Sequence, residues 1–190
     1  HVTAGDRICA GTYLAAAAAS GGEIEITGVE PVVLVEPLKA LRKMGAGLRI
    51  FGAAGPKARI RMVMERRPAG ITIDTGPYPG FPTDLQSVFL AAEASGTGES
   101  QIRETVYEAR FEAAVRLASF GADVSVHGDT AIIKGRYPLL PGVVETPDLR
   151  GGAALLVAAL SADGLSVVSD RGHLKRGYED IGRDLRILGA

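Results

Sequence analysis

Asp84 is the residue whose type and setting point most directly to chemistry. It lies in the decapeptide Pro77-Tyr-Pro-Gly-Phe-Pro-Thr-Asp-Leu-Gln86, where three prolines and a glycine restrict the backbone and leave few hydrogen-bond donors. An apolar run over 85–92 follows at once, so Thr83 or Asp84 is well placed to cap a helix. A carboxylate held in a fixed position at a loop-to-helix junction can act as a general base. The alternative is that Asp84 is a helix cap with no role in chemistry.

The segments that must position this acid recur three times along the chain. Asp6, Asp84 and Asp148 each precede an Ala/Leu-rich run, then a glycine or Asp-Gly break and an alternating, strand-like stretch. A second amphipathic run then ends at a Gly-Ala pair, where we expect the glycine to end a helix. These runs predict helices over 12–20, 34–44, 85–95, 111–120, 149–160 and 178–188.

Strand-like segments follow the first two Gly-Ala pairs, at 47–51 with 59–64 and at 123–126 with 130–133. None follows Gly189-Ala190, so we predict a third unit without its closing strands. The expected fold is a single α/β (α+β) domain over 1–190, made of three βαβαββ-like units at about 1–70, 71–140 and 141–190, the last incomplete. Because Ala-rich faces let helices approach closely, we expect buried helices covered by outer sheets.

Composition narrows the classes of protein that fit. With 190 residues, 46% of them apolar, and a net charge of −1, bulk electrostatics predicts neither a nucleic-acid partner nor a membrane partner. The apolar runs are too short to span a bilayer, and no export signal is visible. A single cysteine, Cys9, suits a reducing, cytoplasmic location. His1 is not an initiator residue, so we expect a fragment. The sequence contains no residues with the spacing typical of metal ligands, so we expect no metal and no cofactor.

Several motifs, in the same order, resemble those of the enolpyruvyl transferases. They lie at 6–17, 77–86, 104–111, 146–150, 176–179 and 185–190. The fold of that family is an inside-out α/β barrel of two similar domains, each with threefold internal repetition. The resemblance therefore implies one such domain, the one encoded mainly by the C-terminal half.

Within the family, the motifs are most similar to the branch that transfers the enolpyruvyl group of phosphoenolpyruvate to the 3′-hydroxyl of UDP-N-acetylglucosamine, the first committed step of peptidoglycan synthesis. The resemblance implies that Asp84 contacts this hydroxyl and that Arg176 binds phosphoenolpyruvate. It also implies that further residues line the cleft, namely Arg110, Arg150, the backbone of Val106, and Asp148 near the closing loop of the other domain. The implied partners are the two substrates and the missing N-terminal-half domain.

The residues named by the resemblance also have ordinary structural interpretations. Arg110 could pair with Glu104 or Glu108 on a helix face, and Arg176 with Glu179. Asp148 follows a proline and precedes an apolar run, which is typical of a helix cap.

The chain also departs from the family pattern in places. Ala109 stands where asparagine is typical, Pro147 where threonine is common and Lys175 where aspartate is frequent. Two other functions therefore stay open: a domain of the related shikimate-pathway enolpyruvyl transferase, and a non-catalytic, ligand-binding relic.

Overall fold

The computed structural model describes residues 3–52, 58–108 and 110–189, so Ala109 and Ala190 lie outside the described residues. The helices in this part are α1 Arg7–Ser20, α2 Val35–Lys43, α3 Thr83–Ala94, α4 Glu112–Leu117, α5 Leu149–Ala159 and α6 Ile181–Ile187. The strands are β1 Gly22–Thr27, β2 Gly47–Phe51, β3 Arg59–Met64, β4 Thr72–Asp74, β5 Glu99–Arg103, β6 Asp123–His127, β7 Thr130–Lys134, β8 Val143–Glu145 and β9 Val167–Ser169. None of these described helices combines the length and apolarity that crossing a membrane requires.

Three helices, α1, α3 and α5, pack side by side in the core. Near one end, the backbone of Gly11 in α1 lies against the side chain of Leu85 in α3. At the other end, the hydroxyls of Ser95 and Ser161 both donate to the carbonyl of Ala19, at 3.2 and 2.9 Å. The three helices are therefore parallel, with their N-termini at the same end. Their many alanines and glycines permit this close packing, as the sequence predicts.

The helices are covered by three sheets. The first has the strand order β1-β3-β2 and is antiparallel; the second has the order β4-β5-β7-β6; the third contains the parallel pair β8-β9. In β3 the side chains of Ile60, Met62 and Met64 are buried, while those of Arg59 and Arg61 face solvent. α1 packs against β1 and β3, α3 against β5 and β7, and α5 against β9. The predicted mixed α/β fold with buried helices is confirmed.

The three sheets differ in how many strands they contain. β1, β3 and β2 correspond in order and direction to β5, β7 and β6 of the second sheet, which adds β4 at its edge. In the third sheet, β9 has one neighbour among the described strands, β8, and no strand follows α6 up to residue 189. The division into three units with an incomplete third stays a prediction.

The predicted helices and strands differ from the observed ones mainly at their ends. The run expected at 178–188 becomes helical only at Ile181, because Asp180 caps α6 by accepting from the backbone N–H of Arg183 at 2.9 Å. A 3-10 turn that ends at Leu34 precedes the run at 34–44, and the run at 111–120 ends with another. β4 and β8, each of three residues, are not among the predicted strands.

The glycines of the three Gly-Ala pairs follow helices, as predicted. Gly45, Gly121 and Gly189 have φ values of 105°, 70° and 100°, a region of backbone conformation that favours glycine. After the first two, the chain passes directly into β2 and β6. Gly45 and Gly121 thus turn the chain from a helix into its covering sheet.

Candidate active site

The candidate site lies where the N-termini of α1, α3 and α5 come together. Asp6 caps α1 by accepting from the N–H groups of Ile8 and Cys9, and Asp148 caps α5 by accepting from Gly151 at 2.8 Å. Asp148 is therefore the helix cap that its sequence position predicts. Converging helix N-termini carry partial positive charge and favour bound anions.

At the start of α3 the capping prediction is wrong. The N-cap position is Pro82, and no side chain caps this helix. Thr83 and Asp84 lie inside the first turn, and their side chains bind groups from other parts of the chain. The Asp84 carboxylate is thus directed to tertiary partners rather than to its own helix.

Two arginines hold the carboxylate of Asp84. Its Oδ1 lies 2.8 Å from Nη2 of Arg110, and its Oδ2 lies 3.1 Å from Nη2 of Arg150. Burial acts to raise the pKa of Asp84, but the hydrogen bonds from Arg150 and Arg110 outweigh it and hold the pKa below its ordinary value. The carboxylate is therefore ionised at neutral pH, and because its side chain is 38% exposed it can still meet a ligand.

Arg150 lies beside a buried tyrosine. Tyr178 is 4% exposed, and its hydroxyl lies 2.8 Å from Oγ1 of Thr12 in α1. Burial raises the pKa of Tyr178, opposed by the hydrogen bond with Thr12 and by the neighbouring Arg150 guanidinium. Tyr178 thus connects α1 with the arginine of α5. Tyr178 belongs to the 176–179 motif, but it is not among the predicted site residues.

Arg110 reaches Asp84 and Thr83, so the alternative pairing with Glu104 or Glu108 is wrong. Its Nη1 donates to Oγ1 of Thr83 at 2.9 Å, and its guanidinium lies over the ring of Tyr107, 5.0 Å from the centroid. Arg110 contacts Glu104 only indirectly, because the Thr83 hydroxyl in turn donates to that carboxylate at 2.7 Å.

Glu104 is a buried acid that sequence reasoning did not assign to the site. It continues the inward-facing positions of Ser100 and Ile102, so period-two alternation was the signal that placed its side chain in the interior. Its carboxylate accepts from the backbone N–H groups of Val106 and Tyr107, at 2.8 and 3.1 Å. The N–H of Val106 is therefore already engaged, while its side chain is 40% exposed.

A surface cavity of about 480 Å³ opens beside these groups, and Arg110, Arg150, Asp148 and Tyr107 are among the residues that line it. A second cavity, of about 340 Å³, lies between α1, β1 and α6 and contains none of the predicted site residues. The charged groups place the candidate site at the first cavity. In the described residues, no cluster of three or more His, Cys, Asp or Glu side chains is arranged to hold a metal ion.

Arg176 is separate from this cluster. It ends a 3-10 turn, Leu174–Arg176, that packs on α5, and it is exposed. Within the part of the chain that the structure describes, its side chain forms no ion pair; the pairing with Glu179 is not made, and Glu179 instead lies 3.9 Å from Arg183. Arg176 is thus a cation available to a ligand.

Cys9 is half-buried on α1. Burial raises the pKa of its thiol, with the nearby Asp6 acting in the same direction, which disfavours the reactive thiolate. This setting suits a structural cysteine.

The parallel core helices, the outer sheets and the acid held between arginines define a domain of the enolpyruvyl transferase class. The family model described as EPSP synthase (3-phosphoshikimate 1-carboxyvinyltransferase) matches residues 1–185, and the chain belongs to this family.

Relatives in the family are similar along nearly the whole chain. A UDP-N-acetylglucosamine 1-carboxyvinyltransferase of Thermotoga maritima is 42% identical over 97% of this chain, and one of Coprothermobacter proteolyticus is 44% identical over 98%. The solved structure of the enolpyruvyl transferase NikO from Streptomyces tendae is 28% identical, covers 97% of this chain and superposes with a TM-score of 0.82. The chain spans 43% of the length of each of these three proteins.

Proposed function

We propose that this chain is part of an enzyme that transfers the enolpyruvyl group of phosphoenolpyruvate to the 3′-hydroxyl of UDP-N-acetylglucosamine. The observation that carries the proposal is the Asp84 carboxylate, held between Arg110 and Arg150 at the N-terminal end of three parallel helices. The names of the relatives at 42 and 44% identity support this choice of acceptor.

Asp84 accepts the proton of the attacking hydroxyl in this proposal. Its lowered pKa keeps it ionised, and its two arginine contacts fix its position without covering it completely. The hydroxyl oxygen then bonds to C2 of phosphoenolpyruvate while C3 takes up a proton from a general acid. Loss of a proton from C3 and departure of phosphate from C2 form the enol ether, and the proton removed from the hydroxyl leaves with the phosphate. Arg110 and Arg150 line the cavity, and in the proposal their guanidinium groups bind the phosphate and carboxylate groups of the reactants.

Three further substrate contacts are part of the proposal. Arg176, exposed and without an ion pair in the described part of the chain, binds phosphoenolpyruvate. The backbone at Val106 faces the nucleotide sugar, and Asp148 lies at the edge where the other domain closes. The other domain completes the site, and the reaction would serve peptidoglycan synthesis in the cytoplasm.

The test is phosphate release by the full-length protein that contains this chain, with and without Asp84→Asn. Loss of a general base costs about 10²–10⁴-fold in rate, so we expect kcat to fall by at least about 100-fold. Asp163→Asn, at an exposed aspartate in a turn, is the matched control and should leave the rate unchanged. Wild-type activity retained by Asp84→Asn would contradict the assigned role.

The same assay separates the alternatives. Shikimate 3-phosphate replaces UDP-N-acetylglucosamine as acceptor in a parallel reaction. Turnover only with shikimate 3-phosphate would make this a domain of the shikimate-pathway enzyme. Binding of UDP-N-acetylglucosamine without turnover of either acceptor would indicate the non-catalytic relic.

A further inference from the structure

The carboxylate of Glu104 collects four hydrogen-bond donors from three separate segments. Its Oε1 accepts from Oγ1 of Thr75 at 2.8 Å and from the backbone N–H groups of Val106 and Tyr107 at 2.8 and 3.1 Å. Its Oε2 accepts from Oγ1 of Thr83 at 2.7 Å. Glu104 is 4% exposed, and such a buried carboxylate is tolerated because its oxygens are hydrogen-bonded.

Thr83 connects this buried acid to the candidate site. Its hydroxyl gives its single proton to Glu104 and offers a lone pair to Nη1 of Arg110, 2.9 Å away. Arg110 uses its other terminal nitrogen, Nη2, to bind Asp84. The guanidinium is therefore held at two points, and one of them depends on Glu104 keeping the Thr83 hydroxyl oriented.

The same carboxylate holds the backbone beside the cavity. Tyr107 lines the cavity, and its ring lies against the guanidinium of Arg110. The N–H groups of Val106 and Tyr107 both donate to Oε1 of Glu104. Glu104 therefore holds this backbone segment directly and Arg110 through Thr83.

We propose that Glu104 and Thr83 are positioning residues of the site. Together they orient Arg110 toward Asp84 and fix the backbone at Val106 and Tyr107. Their effect on turnover rests on the proposed function, whereas their effect on the geometry of Asp84 does not. Neither lines the cavity, so both act through Arg110 and the 106–107 segment.

A carboxylate is required because all four neighbours donate. Glutamine at position 104 would replace one acceptor oxygen by an NH₂ group, which cannot accept from Thr83 or from the backbone. It would also remove the negative charge that strengthens these hydrogen bonds. Valine at position 83 keeps the shape of threonine but can neither donate to Glu104 nor accept from Arg110.

The first test is the titration of the Asp84 carboxyl by ¹³C NMR in the 190-residue chain. In Thr83→Val, Arg110 loses one of its two anchors, so we expect the pKa of Asp84 to rise toward its ordinary value. Thr83→Ser keeps the hydroxyl and should restore the wild-type titration. An unchanged Asp84 titration in Thr83→Val would overturn the proposal, whatever reaction the full-length protein catalyses.

A second measurement tests the hydrogen bonds that Glu104 accepts from the backbone. Charge-assisted hydrogen bonds shift amide protons downfield, so in Glu104→Gln we expect the amide protons of Val106 and Tyr107 to move upfield. Glu99→Gln, at an exposed position of β5, the strand that precedes Glu104, is the matched control and should leave them in place. Amide shifts equal to the wild-type values in Glu104→Gln would overturn the anchoring role.

In the full-length protein, Thr83→Val should lower kcat/KM by about tenfold, the usual effect of one hydrogen bond to a charged group. It should also move the acidic limb of the pH profile upward, and Thr83→Ser should reverse both changes. A full-length protein inactive with either acceptor would refute the proposed function, while the two NMR measurements would still decide the positioning role.

Discussion

The two acidic side chains of α3 show how strongly local partners decide the state of a carboxyl group. Asp84 is partly exposed and accepts from two guanidinium groups, so its pKa is lowered. Glu93 is 1% exposed; its Oε2 accepts from the hydroxyl of Ser100 at 2.6 Å, while its Oε1 has no hydrogen-bond partner among the described residues. Burial raises the pKa of Glu93 to about 7, although Ser100 opposes the shift.

The raised pKa of Glu93 predicts that the folded chain loses stability as the pH rises. Below its ordinary value of 4.5 the group is protonated in both folded and unfolded chains, whereas between 4.5 and about 7 only the folded chain keeps the proton. The free energy of unfolding should therefore decrease between pH 5 and pH 8, by about 3 kcal/mol at most from this group. Urea denaturation at the two pH values measures the change.

Glu93→Gln supplies the comparison, because glutamine does not titrate. We expect its loss of stability between pH 5 and pH 8 to be smaller than that of the wild type. Glu99→Gln, at an exposed position, should behave as the wild type does. Equal losses in Glu93→Gln and the wild type would show that burial of Glu93 does not govern the pH dependence.

At the scale of the elements, the contact between α1 and α3 depends on one glycine. A Cβ atom built on Gly11 would lie 2.5 Å from Cδ1 and 2.8 Å from Cδ2 of Leu85, a residue that is fully buried. Since the interior is close-packed, Leu85 has little space into which to move. This contact helps to set the distance between the two helices, and hence the position of Asp84 in the first turn of α3.

Gly11→Ala should therefore destabilise the protein, although alanine favours an isolated helix. Overpacking typically costs about 1–3 kcal/mol, which outweighs the gain of about 1 kcal/mol in helix propensity. Gly182→Ala in α6 is the matched control, because the nearest atom to its added Cβ, Oδ1 of Asp180, lies 3.7 Å away. Thermal unfolding of both variants should show opposite signs; a Gly11→Ala variant as stable as Gly182→Ala would contradict the packing argument.

Periodicity and the Gly-Ala pairs located the helices and most strands, because these signals are local in sequence. The contacts of the first residues of α3, in contrast, depend on residues that are distant in sequence. The sequence around Asp84 is typical of a helix cap, and its actual partners, Arg110 and Arg150, are 26 and 66 residues away in the chain. The burial of Glu104 was visible in the alternation of its strand, but its four donors depend on tertiary packing.

The charged site residues named from the family resemblance divide into two groups in space. Asp84, Arg110, Arg150 and Asp148 lie around the α-helix N-termini, whereas Arg176 stands apart as an exposed cation. Composition and spacing alone could not have joined the first four. Their assembly follows from the parallel packing of α1, α3 and α5, which brings one end of each repeat to the same face of the molecule.

For the whole molecule, the decisive fact is that the chain spans 43% of the length of its relatives. The two arginines that bind Asp84 line a cavity that is open to solvent rather than enclosed between two walls. Catalysis of a reaction between two bound substrates depends on holding both in a reactive geometry and on excluding water. A surface that contacts the reactants from one side supplies only part of that restraint.

We therefore expect the isolated chain to bind without turning over. With UDP-N-acetylglucosamine, backbone amide shifts should cluster around Asp84, Val106 and Arg110 and should vanish in Asp84→Ala. Phosphate release from phosphoenolpyruvate should be lower than that of the full-length protein by at least about 10⁵-fold, the lower end of the effective molarities that correct positioning provides. The two measurements, made on the same preparation, separate recognition from catalysis. Turnover by the isolated chain within tenfold of the full-length rate would mean that the described residues already form a complete active site.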